Sequence, residues 1–316
     1  MSSEKKRKNY WPLVFGILLT AYTVFTLLDA FVLPSDTVTI EEADDSTVGI
    51  ISESVYPSEN GDEDTAAAAD EPIITENSYV SDDISITLET LTRNNTQVYV
   101  ADIVLTDASY LKAGLAEGTF GRNVSDTTSS IAAENDAILA INGDYYGFRR
   151  RGFVMRNGYL YRDTQSNDTD SEDLVIYEDG SFEIITESEW NAQELANAGA
   201  VQIFSFGPGL IINGEISVDA DSEVDQAKQS NPRTAIGEIE PLHYVMVVSD
   251  GRTEESEGLT LLELAELMEE LGCETAYNLD GGGSSTMWFM GEVVNKPTSG
   301  GKIKERSVSD IVYIGE

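Results

Sequence analysis

The chain is 316 residues long and carries 57 Asp and Glu against 19 Lys and Arg, a formal net charge of −38. That length holds one large domain or two smaller ones, and a field of that sign repels long polyanions, which excludes nucleic acid as a partner. A single cysteine, Cys273, and a single histidine, His243, exclude an intramolecular disulfide framework, a Cys-rich zinc site and a multi-His metal site. What remains is the chemistry of carboxylates, arginines, amides and hydroxyls.

Residues 1–10, "MSSEKKRKNY", form a short basic tail before an apolar run at 11–33, "WPLVFGILLTAYTVFTLLDAFVL". At about 1.5 Å per residue the run is long enough for a hydrocarbon core of about 30 Å. Lys5, Lys6, Arg7 and Lys8 place the N-terminus in the cytoplasm and the remainder outside the cell. The length of the run and the absence of a small-x-small cleavage site favour an uncleaved anchor in the lipid bilayer over a signal peptide. Residues 34–78 are acidic and rich in Ser, Thr and Ala, with no Lys or Arg. Such a composition buries too little surface to offset ordering entropy and reads as a disordered stalk.

A folded domain is expected over 79–316. "ISITLETLT" and "TQVYVADIVLT" alternate polar and apolar residues around Asn94–Asn95, the pattern of a hairpin. "TTSSIAAENDA" reads as a helix leading into the strand "AILAINGDYY", which turns at Gly143. Further hairpins are expected through Asn157–Gly158 and Asp179–Gly180, with a weaker helix in "SEWNAQELANAG" and turns at Gly207–Gly209 and Asn213–Gly214. "RTAIGEI" and "LHYVMVVSDG" are strand-like. In "GLTLLELAELMEELG", Leu261, Leu264, Ala265, Met268 and Leu271 fall on one helical face, Thr260 and Glu263 form a capping box, and Gly272 suits the stop. The pattern predicts a single α+β domain, strand-rich, with a few packed helices and no repeats.

The densest concentration of chemistry is "NLDGGGSSTMW". Gly281, Gly282 and Gly283 stand between Asn278 and Asp280 on one side and Ser284, Ser285 and Thr286 on the other. Glycine inside an element costs about 1 kcal/mol against alanine, so three in a row imply a hard turn or a close approach. Consecutive N–H groups there suit an anion, although the stretch matches neither a Walker loop nor a dinucleotide fingerprint. "INGDYYGF" places Asn142 and Asp144 beside three aromatics, as a sugar site requires. "NPRTAIG" offers Arg233, and "VVSDGRT" offers Asp250 and Arg252; arginine suits bidentate phosphate contacts. Each arginine taken alone reads as a surface ion pair before it reads as a ligand.

Taken in series, "AINGDYYGF", "NPRTAIG", "SDGRT", the helix with "NLDGGGSSTMW", and "ERSVSDIVYI" resemble the phosphodiester glycosidase family over about Ile141 to Ile314. The resemblance implies hydrolysis of a sugar-1-phosphodiester or surface glycan at the anomeric C–O bond, with no cofactor and no metal. It implies that Asp280, Asp144 or Asp250 acts on the anomeric centre and that Arg233 and Arg252 hold phosphate. Asn142, Asn278 and the Gly281–Ser285 turn would position the substrate. Two other readings compete: a non-catalytic carbohydrate-binding surface protein, and a phosphodiesterase that cuts P–O.

Several salient residues carry plainer readings. His243 in "PLHYVMVV" reads as structural, and Cys273 as a small buried hydrophobe. Arg149–Arg151 suit either an anionic polymer or the neutralisation of nearby acids. Arg306 is open between ion pair and ligand. "NDTDSED", Asn167 to Asp173, suits weak Ca²⁺ binding but lacks the EF-hand spacing.

Overall fold

The computed structural model describes residues 11–39, 71–219 and 230–316. Three antiparallel sheets build the domain. In the nine-stranded sheet, Thr275–Asn278, Arg233–Glu240, His243–Ser249, Thr96–Leu105 and Ile84–Arg93 lie side by side. A five-stranded sheet contains Met287–Phe289, Leu139–Asn142, Asp310–Ile314 and Leu111–Leu115 in that order. A second five-stranded sheet contains Tyr159–Arg162, Val154–Arg156, Ala200–Phe204, Glu172–Tyr177 and Phe182–Thr186.

The inner faces of all three sheets share one core. Ile86, Ile103 and Met246 from the first meet Leu139, Ile141 and Val312 from the second, and Leu174, Ile176 and Phe204 from the third. Short helices cover the outer faces, and a longer N-terminal helix leaves its described side chains exposed. Helix α1 is Trp11–Phe31, α2 is Thr128–Glu134, α3 is Ala192–Asn197 and α4 is Leu261–Glu270. Helix α4 packs Leu264, Ala265 and Met268 on Val245, Val247 and Ala276. Helix α2 covers the second sheet through Ile131 and Ala132, and α3 covers the third through Ala192 and Leu195.

The strand periodicity explains this sandwiching. In Thr96–Leu105, Val98 and Val100 face α4, while Ala101, Ile103 and Leu105 face the shared core. Successive residues point to opposite faces, so a strand buried on both sides needs apolar residues at both parities. The expected turns form as read: Asn94 and Asn95, Asn157 and Gly158, and Asn213 and Gly214 all take positive φ, as two-residue hairpins demand. The Thr260–Glu263 capping box forms, and α4 is followed by Gly272 at φ +85°.

The N-terminal region differs from the expected stalk at both ends. Ser35–Thr39 is a strand paired with Thr119–Arg122, with Val38 opposite Phe120, and the Asn123 side-chain amide donates to Leu33 O at 2.9 Å. Ile73–Ile74 and Ser78–Val80 add two edge strands to the large sheet. Alternating Thr and Val in "DTVT", and "II" against "SYV", supply β-formers within an otherwise acidic stretch. The rest of the stalk reading, residues 40–70, and the basic tail 1–10 lie outside the described residues. Among the described residues no helix is long and apolar enough to cross a membrane.

Where the two five-stranded sheets meet, Arg156 is almost completely buried. Its Nη2 lies 2.8 Å from Asp144 Oδ2 and 2.6 Å from Asp310 Oδ2, and its Nη1 donates to Met155 O and Ile203 O. The guanidinium also stacks 4.0 Å over the Phe204 ring. Two buried carboxyls share one cation, so the group is neutral only if one proton is retained. Burial, with Asp144 beside it, raises the Asp310 carboxyl to about 8 against the pull of Arg156.

Two outcomes follow from this cluster. Arg156→Met, similar in length but uncharged, leaves two buried carboxyls facing each other and should cost about 3–5 kcal/mol in chemical denaturation. A loss under about 1 kcal/mol would show the cluster to be dispensable. The second outcome concerns pH. Asp310 titrates near 4 when unfolded and near 8 when folded, so its stabilising proton is fully held at low pH and lost as pH rises through roughly 4 to 8. The Tm of Asp310→Asn should therefore fall less than that of the parent chain over that range.

Candidate active site

Two strand ends from different sheets create the site. Leu139–Asn142 and Thr275–Asn278 both run out of their sheets toward one point, where the Asp280 N–H donates to Gly143 O at 3.2 Å. Asn142 stitches this junction. Its amide donates to Asp280 O at 2.6 Å, and its carbonyl oxygen accepts from Thr234 Oγ1 at 2.8 Å and the Thr286 N–H at 3.2 Å. With the side chain wholly buried, Asn142 holds backbone together and does not face a ligand.

The turn after Asp280 shows why it is glycine. Gly282 has φ +63°, and a Cβ there would lie 2.8 Å from Arg252 Nη2. Its N–H donates to Pro232 O at 2.8 Å. Gly143 has the same need for space: a Cβ would lie 2.6 Å from Asp310 Cγ. Arg233 and Arg252 thus flank Gly281 and Gly282, while Ser299 and Arg306 flank Gly283.

A cleft of about 420 Å³ opens beside this turn, walled by Asp144, Tyr145, Phe148, Asp280, Lys304 and Arg306. Tyr145 and Phe148 stack with centroids 4.8 Å apart and make an aromatic wall. Asp280 is 8% exposed. Ser284 Oγ donates to its Oδ2 at 2.5 Å, and Arg306 Nη2 lies 2.7 Å from the same oxygen. Burial pushes the Asp280 carboxyl above the usual range, while Arg306 and Ser284 pull it back. Asp144 is held differently. Oδ1 accepts the Tyr146 N–H at 2.7 Å, and Oδ2 accepts from Arg156 and from the Ser205 N–H at 3.2 Å, so both oxygens are committed.

The structure thus brings Asp144, Asp280, Ser284 and the glycine turn together and places other expected residues elsewhere. Asp250 is buried away from the cleft, where it accepts from Tyr99, Asn295 and the Lys296 N–H. Asn278 is turned inward, its amide on Gly207 O at 2.7 Å. Arg233 Nε donates to Leu259 O, and Arg252 donates to Asn231 Oδ1; neither lines the cleft. Ser285 is fully buried. The cleft adds Lys304, which the sequence motifs do not mark, and Arg306, which they leave open between ion pair and ligand. Their signal was available: "GKIKER" is a basic stretch in a chain of net charge −38. Among the described residues no cluster of three or more His, Cys, Asp and Glu suits a metal ion.

Residues 135–315, more than half the chain, match the model of the phosphodiester glycosidase family. The chain is 31% identical over 200 residues to the SPbeta prophage-derived uncharacterized protein YomE of Bacillus subtilis, covering 62% of this chain and 30% of that protein. It is 33% identical over 196 residues to the Homo sapiens N-acetylglucosamine-1-phosphodiester alpha-N-acetylglucosaminidase, covering 57% of this chain and 32% of that one. The chain thus spans about a third of the length of the curated relatives it matches. The zebrafish N-acetylglucosamine-1-phosphodiester alpha-N-acetylglucosaminidase catalytic domain, auto-inhibited by its pro-peptide, superposes with a TM-score of 0.58 at 21% identity, over 74% of this chain and 83% of that one. A hypothetical protein from Synechocystis gives 0.54 at 15% identity over 74% and 62%. Both likenesses show a shared fold. The matched span holds the "NGD" turn, the triple glycine and the Arg306 strand approach in one continuous unit, and on this ground the chain belongs to the phosphodiester glycosidase family.

Proposed function

We propose that the chain is a hydrolase that cleaves the anomeric C–O bond of sugar-1-phosphodiesters in surface glycans. The observation that carries this reading is Asp280: a carboxylate at an aromatic-walled cleft, tethered through one oxygen by Arg306 and Ser284. The sugar lies against Tyr145 and Phe148. Water adds to the anomeric carbon as the C–O bond breaks, the electron pair leaves with the phosphate oxygen, and Asp280 takes the water proton. Lys304 and Arg306 stabilise charge on the departing phosphate monoester. That group leaves as an anion, so strong general-acid help is unnecessary. Asp144, with both oxygens bonded, positions the wall and takes no proton. A double displacement needs a second free carboxyl group to activate water, and Asp144 is not free, so the geometry favours a single inverting step.

Asp280→Asn should lower kcat about 10³-fold with the fold intact by circular dichroism, and Arg306→Ala about 10²-fold. Arg252→Ala, on the far side of the glycine turn, should change kcat/KM less than about 3-fold; a loss equal to that of Arg306→Ala would return phosphate binding to Arg252. Hydrolysis of an α-linked diester in ¹⁸O-water should place label in the sugar and yield the β-anomer first by NMR. Label in phosphate would mean P–O cleavage, and an α-anomer product would mean retention.

We further propose that the segment 11–33 attaches the protein to a lipid bilayer with the domain outside the cell. Support comes from the 21-residue helix α1, whose Phe15, Leu18 and Phe25 are exposed, and from the basic residues before it. The full chain should stay with membranes through carbonate washing and leave with detergent. Release by carbonate would remove the anchor from this scheme.

A further inference from the structure

The chain is fastened to the domain as soon as α1 ends. The carbonyl oxygen of Leu33, two residues beyond Phe31, accepts the Asn123 side-chain amide at 2.9 Å, and Arg122 Nη1 donates to Ser35 Oγ at 3.3 Å. Ser35–Thr39 then runs antiparallel to Thr119–Arg122, and Val38 packs against the buried group of Leu115, Phe120 and Tyr146. The partner strand is shaped for this contact. A Cβ at Gly121 would lie 2.7 Å from Thr37 Cγ2 and 3.2 Å from Thr37 Cα, so the N-terminal segment occupies space that a side chain would fill.

This fastening lies beside the reaction cleft. The Asn123 N–H donates to Gly147 O at 3.0 Å, in the turn between Tyr145 and Phe148, and Ser125 lines the cleft itself. Two residues of chain on each side of the Leu33–Asn123 bond, at no more than about 3.6 Å per residue, leave the cleft wall within about 25 Å of the end of α1. With α1 in a bilayer, the domain therefore has no free chain with which to move off the surface.

The rim of the cleft carries what a headgroup layer selects. On one side Phe148 is 42% exposed and is followed by the exposed Arg149 and Arg150. On the other, Ile303 is 67% exposed between the exposed Lys302 and Lys304. Val32 and Leu33, between α1 and the paired strand, are exposed as well. Apolar side chains flanked by cations suit the interface of an anionic bilayer. The acids lining the cleft are already engaged: Asp144 with Arg156, Asp280 with Arg306, and Glu305 with the Ser129 N–H and hydroxyl. Arg151 is set apart, bonded to Gln165 O and sharing a cavity wall with Asp168. The net charge of −38 opposes an anionic surface, but at physiological ionic strength exposed charges are felt over only about 8 Å, so the residues at the rim decide the contact.

We propose that residues 33–39 hold the domain against the bilayer and that the cleft rim docks on anionic lipid headgroups, so that the cleft opens at the membrane surface. The first part rests on the attachment of 11–33 given above; the affinity of the rim for anionic headgroups does not.

The test uses the full chain in vesicles of phosphatidylcholine and phosphatidylglycerol in equal parts, with a nitroxide quencher on the lipid headgroups. Ile303→Cys carries a fluorophore; Cys273 is buried, and the unsubstituted chain is the labelling control. Glu269→Cys is the reference site, at the end of α4 from which the chain returns through Thr275–Asn278 to Asp280. The label at 303 should be quenched and the label at 269 should not. Arg150→Glu with Lys302→Glu should bring quenching at 303 down to the reference level. Val38→Asp, which puts a charge into the apolar contact of the N-terminal segment, should also reduce it while the chain stays on the vesicles, and Asn123→Ala is the second variant if Val38→Asp does not fold. Equal quenching at 303 and 269, or quenching unchanged by the double substitution, overturns the rim and, where the chain still resists carbonate, leaves the attachment standing. Quenching unchanged in both Val38→Asp and Asn123→Ala overturns the part given to residues 33–39. Quenching at 303 in a chain that carbonate releases upholds the rim and overturns the attachment.

Discussion

One buried guanidinium organises the domain. Arg156 comes from one five-stranded sheet, Asp310 from the other, and Asp144 from the turn that builds the cleft. A cation this far from water cannot go unpaired, so the three elements must meet at hydrogen-bonding distance whenever the chain is folded. An apolar cluster of equal volume would fill the same space but would not fix the orientation of Asp144. Because Asp144 also accepts from the Tyr146 and Ser205 N–H groups, its orientation fixes the start of the Tyr145–Phe148 wall. The cleft is thereby built on sheet ends and does not depend on loop packing alone.

The triple glycine is the counterpart on the other wall. Asp280 must leave the nine-stranded sheet, pass under Gly143 and still present its carboxyl to the cleft. That path brings backbone against backbone at Pro232 and a guanidinium against Gly282. A methyl group at Gly282 would displace only the mobile end of Arg252, but its φ of +63° disfavours any side chain. The hydroxyl of Ser284 then serves the carboxylate directly and not the substrate. The same three glycines thus satisfy a steric demand from behind and an orientational one in front.

Much of this architecture was legible in the sequence because it rests on local rules. Alternation marked the strands, Asn–Gly pairs marked the hairpins, and the Thr260–Glu263 box marked α4 to within a residue. Residues whose partners lie far along the chain carry no such local mark. Asn142, Asp250 and Arg233 have the chemistry of ligands, and in the fold their side chains bond Asp280 O, the Lys296 N–H and Leu259 O, contacts made across 138, 46 and 26 residues of chain. Nothing local distinguishes an amide that stitches sheets from one that binds a sugar. The sequence treats "NDTDSED" and "RRR" separately, the first as suited to weak Ca²⁺ binding and the second to an anionic polymer or to the neutralisation of nearby acids. Both line one cavity, which tertiary folding alone creates. The acidic composition that suggested a stalk likewise hid the Ser35–Thr39 strand, whose pairing partner lies about 80 residues onward.

The net charge and the proposed substrate are reconciled by distance. A formal charge of −38 spread over the molecule repels a polyanion whose phosphates must lie along an extended surface. At physiological ionic strength, however, exposed charges are felt over only about 8 Å. On the cleft and its neighbouring cavity Arg306, Lys304 and the Arg149–Arg151 run stand among the carboxylates of Asp144, Asp280, Glu305, Asp168, Glu172, Asp173 and Glu187, so cations and anions alternate there at short range. A single phosphate samples that local field and little of the rest. On the proposed reading, Lys304 and Arg306 are then the cations left to meet a single phosphate at the cleft, while the surrounding acidic surface turns a polyanion away.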